Sequence, residues 1–147
     1  MSLTGLEVFD DTVHKTNSWL KQIGQELNVD RRHSYQALRA VLHSLRDRLS
    51  VQEAADLSDQ LPMLVRGIFF EGWRPADVPV RIRSREEFLA LIAMQFPPSQ
   101  PVDAEQAANA VFQVLEDHVT AGEIRDVLQN LPQDIRTLWP HHERYAA

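Results

Sequence analysis

A chain of 147 residues, 44% hydrophobic and 24% charged, has the size and composition of one ordinary domain and can bury a core without staples. It has no cysteine, which excludes disulfides, thiolate metal sites and thiol nucleophiles, and which suits a reducing cytoplasm. The formal charge of −6 disfavours nucleic acid as a partner, and the opening MSLTGLEVFDD places acid where a secretory leader would carry Lys or Arg, so a cytoplasmic location is expected.

Helical spacing dominates the chain. Leu6, Phe9, Val13, Leu20, Ile23 and Leu27 mark one face of a first helix over 5–27, and Tyr35, Leu38, Val41, Leu42, Leu45 and Leu49 mark a second over 31–48. Shorter helices are predicted over 51–59 and 62–70, the last with Pro62 in its opening turn, where the missing N–H costs nothing. The most apolar run, Leu61 to Phe70, is interrupted by Arg66 and falls far short of the ~20 residues a membrane span needs, so no membrane insertion is expected.

Residues 71–83, EGWRPADVPVRIR, are too rich in Gly and Pro for a helix and read as a linker, with only weak strand alternation in Val78, Val80 and Ile82. Helices then return over 85–96, 104–118, 121–129 and 132–139, followed by a tail over 140–147. Ser or Thr followed three residues later by Glu predicts a capping box, with each side chain closing the other's backbone N–H. Four such pairs stand at helix starts: Thr4/Glu7, Ser50/Glu53, Ser84/Glu87 and Thr120/Glu123. Asp30 and Asp103 are the expected caps of the remaining long helices.

The second set of helices repeats the first. A shift of 70 lays residues 37–69 on 107–139 without a gap, with identity at 10 of 33 pairs, among them Ala40/Ala110, Val41/Val111, Glu53/Glu123, Asp56/Asp126, Pro62/Pro132 and Arg66/Arg136. Chance would give about two. With one inserted residue the match extends back, Trp19, Leu20, Ile23 and Gly24 falling on Phe88, Leu89, Ile92 and Ala93. The expected architecture is all-α: a four-helix unit over about 5–70, the linker 71–83, and a second unit over about 84–139, packed as one bundle-like domain spanning 1–147. Charge divides unevenly, with 12 Lys/Arg against 11 Asp/Glu in residues 1–85 and 3 against 10 in residues 86–147.

The strings FDDTVHKTNSWL, LRAVLHSLRDRL, QLPMLVRGIFFEGW and GEIRDVLQNLP, in this order, resemble a bacterial family of small proteins, the domain of unknown function 2267. The resemblance covers nearly the whole chain. It implies an all-helical fold and no particular activity, cofactor or catalytic residue.

The chemistry-bearing residues point the same way. Glu53 with Asp56 and Glu123 with Asp126 are acid pairs one helical turn apart, and carboxylates so placed can bind metal or transfer protons. Their position in first turns favours capping and helix-dipole roles instead, and no Glu-x-x-His pair accompanies them. The six histidines (His14, His33, His43, His118, His141, His142) come without CxxCH or HExxH, so neither metal nor cofactor is expected. No G-x-S-x-G elbow and no glycine-rich phosphate loop is present, and an enzyme has no support.

Arginine carries the remaining signal. Arg46, Asp47 and Arg48 read as a solvated face, whereas Trp73, Arg74, Arg81 and Arg83 in the linker are the expected binding residues, because Arg and Trp anchor protein contacts most often. The expected function is a non-catalytic helical interaction or regulatory module acting through another protein or self-association. The alternative is a carrier of a small ligand (lipid, tetrapyrrole or anion) held between the two units.

Overall fold

The computed structural model describes residues 2–100 and 102–146. Met1 and Ala147, the ends of the expected domain and tail, lie outside the described residues. The fold is all-α: among the described residues there are eight α-helices and no strand. In chain order they are α1 (Glu7–Leu27), α2 (Arg31–Arg48), α3 (Val51–Ser58), α4 (Met63–Phe70), α5 (Arg85–Met94), α6 (Ala104–His118), α7 (Ala121–Gln129) and α8 (Gln133–Arg136). Short 3-10 turns cover Pro75–Asp77 in the linker and His142–Tyr145 near the end. None of the helices is long and apolar enough to cross a membrane.

Local chemistry explains most helix starts. Asp30, Ser50, Ser84, Asp103 and Thr120 each accept a hydrogen bond from the backbone N–H three residues on, satisfying a donor that the helix leaves orphaned. Only Ser84/Glu87 forms the full reciprocal box, the Glu87 side chain closing back on the Ser84 N–H at 3.4 Å. Glu53 and Glu123 do not return to their caps, and the Thr120 N–H donates instead to Gln60 Oε1 at 2.8 Å. Thr4/Glu7 forms no box at all. α1 starts after Leu6, and the Asp10 carboxylate accepts from the Ser2 and Thr4 hydroxyls and from the backbone N–H groups of Thr4 and Leu3, which together hold it below the usual Asp range. Pro62 and Pro132 stand at the cap position, just outside the helices they precede.

Replacing Ser50 or Thr120 by Ala is expected to lower stability by about 0.5–2 kcal/mol each. Thr120→Ala should cost more, because its hydroxyl also accepts from Gln60 Nε2 at 3.0 Å. Denaturant midpoints read this directly, and unchanged midpoints at unchanged m-values would show that the hydroxyls are not caps.

One contiguous apolar cluster draws on every helix. α1 contributes Trp19, Leu20 and Ile23, α2 contributes Leu38, Val41, Leu42 and Leu45, and α6 contributes Val111, Phe112, Val114 and Leu115. A column of rings runs from Phe88 through Phe112 to Trp139, with centroids 6.3 and 4.1 Å apart. Packing crosses freely between the first four helices and the last four: α1 and α2 lie on α6, α5 lies on α2, and α3 lies on α7. Where α1 turns into α2, a side chain on Gly24 would stand 2.8 Å from Ser34 Oγ and 3.1 Å from the Val29 carbonyl. Only glycine fits that approach. The apolar face predicted for α1 is only partly core, since Leu6 and Phe9 remain 45% and 49% exposed at an end that overhangs the cluster.

Candidate functional site

The linker after α4 is held from beneath by the end of α2. Arg46 is buried, and its Nη1 donates to the carbonyls of Phe69 at 2.9 Å and Glu71 at 2.8 Å while Nε pairs with Asp47 at 2.8 Å. These carbonyls are left free where α4 stops, so the guanidinium acts as a C-terminal cap delivered from another helix. Arg48 Nε donates to the Ile82 carbonyl at 2.6 Å, and the Val80 N–H donates to the Asp47 carbonyl at 2.8 Å. The solvated face expected at Arg46–Arg48 is therefore a clamp, with Arg46 buried and Asp47 and Arg48 half-buried. Arg39 adds an exposed ion pair to Glu71 at 2.6 Å, which holds that carboxyl below the usual Glu range.

On this clamped segment Trp73 is half-buried and packs on Phe70 with ring centroids 4.9 Å apart, and its indole N–H has no acceptor among the described residues. Arg74, Arg81 and Arg83 are exposed, and none of their side chains makes a hydrogen bond or ion pair with a described residue. Burial, and after it the nearby charge of Arg83, push the Arg48 pKa down. The tether to the second half belongs to the next arginine. Arg85 reaches Glu105 and Thr137, and its N–H points to Asp134. The segment thus presents uncompensated positive charge beside one aromatic ring.

A second cluster lies where α3 crosses α7. Glu53 and Glu123 are 7% and 9% exposed, and each has a buried carboxyl oxygen with no hydrogen-bond donor. Burial raises the pKa of both, and that of Glu123 is pushed up to about 8 by burial first, then by its hydrogen bond to Glu53 and by Glu53's charge. Asp56 and Asp126 add further negative charge, and among the described residues no three His, Asp or Glu side chains converge as a metal site.

The histidines are not gathered at one site, though His14 and His118 line one open cleft. His43 is buried, its Nε2 lies 2.7 Å from the Ile68 carbonyl, and burial lowers its pKa, so it is a neutral donor in the core. His118 stacks on Trp19 with centroids 5.2 Å apart, and His141 lies beside the buried Glu116 carboxylate at 3.7 Å.

Residues 16–138 match the profile of a family described as an uncharacterized conserved protein (DUF2267). The chain belongs to this family. No curated protein matches it. In this family member the matched region takes in both clusters, the arginine linker and the carboxyl pair. Local sequence had flagged Trp73, Arg74, Arg81 and Arg83, whereas Glu53 and Glu123 stood as helix caps. The signal that could have separated them was their equivalence under the shift of 70, which places both at one point of the two units.

Proposed function

We propose that this DUF2267 chain is a non-catalytic helical interaction module, placed in the cytoplasm, that docks an acidic surface of another protein on residues 73–83. The observation carrying this reading is that Arg74, Arg81 and Arg83 are exposed and unpaired on a segment that Arg46 and Arg48 clamp to α2. A clamped backbone lowers the ordering cost of binding, and an Arg fork matches a carboxylate in two-point geometry. The strongly acidic composition of residues 86–147 makes a second copy one such partner.

The reading includes a tandem duplication, supported by contacts that repeat under the same shift. Thr120 pairs with Gln60 at 2.8 Å, and its counterpart Ser50 reaches Asn130, the counterpart of Gln60, at 3.5 Å. Glu53 likewise meets Glu123, its own counterpart. Such reciprocal contacts are what a local two-fold axis produces. A cleft beside this junction, about 340 Å³ and lined by His14, Trp19, Gln60, Pro62 and His118, is open to solvent rather than enclosed, so the carrier alternative gains no support from it.

Changing Arg74, Arg81 and Arg83 together to Gln is expected to abolish recovery of partners by pull-down, and self-association by sedimentation, at an unchanged melting temperature. A lower melting temperature with the same partners would instead make these arginines part of the internal scaffold.

A further inference from the structure

Glu53 and Glu123 come from opposite halves of the chain, occupy equivalent positions, and are both more than nine-tenths buried. Neither is spent on capping. The Glu53 and Glu123 backbone N–H groups go to Ser50 and Thr120, and the carboxyls turn toward each other, each with a buried oxygen that lacks a donor. No Lys, Arg or His stands within ion-pairing distance of either among the described residues.

Charge from the surrounding elements does not help. Asp56 on α3 and Asp126 on α7 are both acidic. On α6, which packs against α7, Asp117 takes hydrogen bonds from Gln22 and Gln113, and His118 stacks on Trp19. His142, Glu143 and Tyr145 of the last 3-10 turn face α7 from another side, sharing a cleft with Arg125. Arg66 on α4 and Arg136 on α8 donate their Nε–H to the carbonyls of Ser58 and Leu131. Two ionised carboxylates held together in this setting would repel with nothing to offset them.

We propose that Glu53 and Glu123 share one proton across the α3–α7 contact and so form a pH-sensitive latch between the two halves of the chain. One carboxyl stays neutral and donates its O–H to the ionised other. The proton belongs to the pair, with Glu123 as its main holder.

The linkage has a definite sign. The Glu123 carboxyl ionises near 4.5 when unfolded and near 8 when folded, so between these values the folded chain holds a proton that the unfolded chain has lost. The pair's contribution to stability is therefore full below the lower value, is lost across the window at about tenfold in the folding constant per pH unit, and is gone above the upper one.

The test measures carboxyl ¹³C resonances of the full wild-type chain, and denaturant unfolding of wild type and Glu123→Gln, from about pH 5 to about pH 9. We expect one of the two glutamate resonances to titrate well above the ordinary range, and the wild-type folding constant to fall across the window. Glu123→Gln, which keeps a neutral donor, should be flat there and more stable than wild type at the alkaline end. Glu53→Gln provides the same comparison should Glu123→Gln fail to fold, and the resonances need no variant. Both resonances titrating at the ordinary value would overturn the proposal. So would a wild-type melting temperature raised by Mg²⁺ or Ca²⁺ alone and insensitive to them in Glu123→Gln, since the pair would then be a cation site.

Discussion

A chain ending at Gly72 is expected to show no cooperative unfolding transition and to aggregate or remain largely disordered. It would contain α1 to α4 complete, yet α1 and α2 would lose α6, α2 would also lose α5, and α3 would lose α7. Leu38, Val41, Leu42 and Leu45 of α2 belong to the same buried cluster as Val111, Phe112 and Leu115 of α6, and removing α6 leaves the α2 set uncovered. A unit of this size buries only about 60% of its unfolded surface even when its core is complete, so the loss of that neighbour removes what little surplus it has. The expected readouts are a featureless melt by circular dichroism and poorly dispersed amide resonances. A sharp transition in the isolated half would show two independently folding units joined by a linker.

How far this was legible depends on the range of the interaction. Caps at Asp30, Ser50, Ser84, Asp103 and Thr120 are written within four residues of sequence, so the starts of α2, α3, α5, α6 and α7 follow from local chemistry alone. The same motif fails at Thr4 because Asp10, six residues on, offers a carboxylate that gathers the free N–H groups better than the predicted box would. Ser50/Glu53 and Ser84/Glu87 are indistinguishable as strings. What separates them is that Glu53 is pressed against α7 while Glu87 stands in solvent, a fact of tertiary packing. Arg46 departs from its sequence reading for a similar reason: its neighbours Asp47 and Arg48 suggest a wet face, but the chain returns some two dozen residues later and lays Phe69–Glu71 over it. Leu6 and Phe9 keep the helical period that predicted a buried face, yet burial on α1 begins at Thr12, whose hydroxyl accepts the Leu64 N–H of α4 at 2.8 Å. Periodicity gives the face of a helix and not how much of its length is covered.

Trp139 shows what such coverage is worth. It is fully buried just beyond α8, and its ring lies parallel to Phe112, 4.1 Å away with the planes 4° apart, closing the aromatic column that Phe88 begins on α5. Trp139→Ala removes the end of that column from three elements at once, and the surroundings cannot collapse onto a rigid ring. The expected loss is about 3–5 kcal/mol. Trp139→Phe is a different experiment. The indole N–H has no acceptor, so the native residue carries the cost of an unsatisfied buried donor that Phe would not, against which stands a smaller cavity where the second ring was. These terms are similar in size and opposite in sign, and Trp139→Phe should fall within about 1 kcal/mol of wild type. Guanidinium denaturation at constant m-value separates the two variants. If Phe proves as costly as Ala, the indole N–H has a partner in solution, a bound water being the simplest, and the stability of the column rests on that hydrogen bond as much as on stacked carbon.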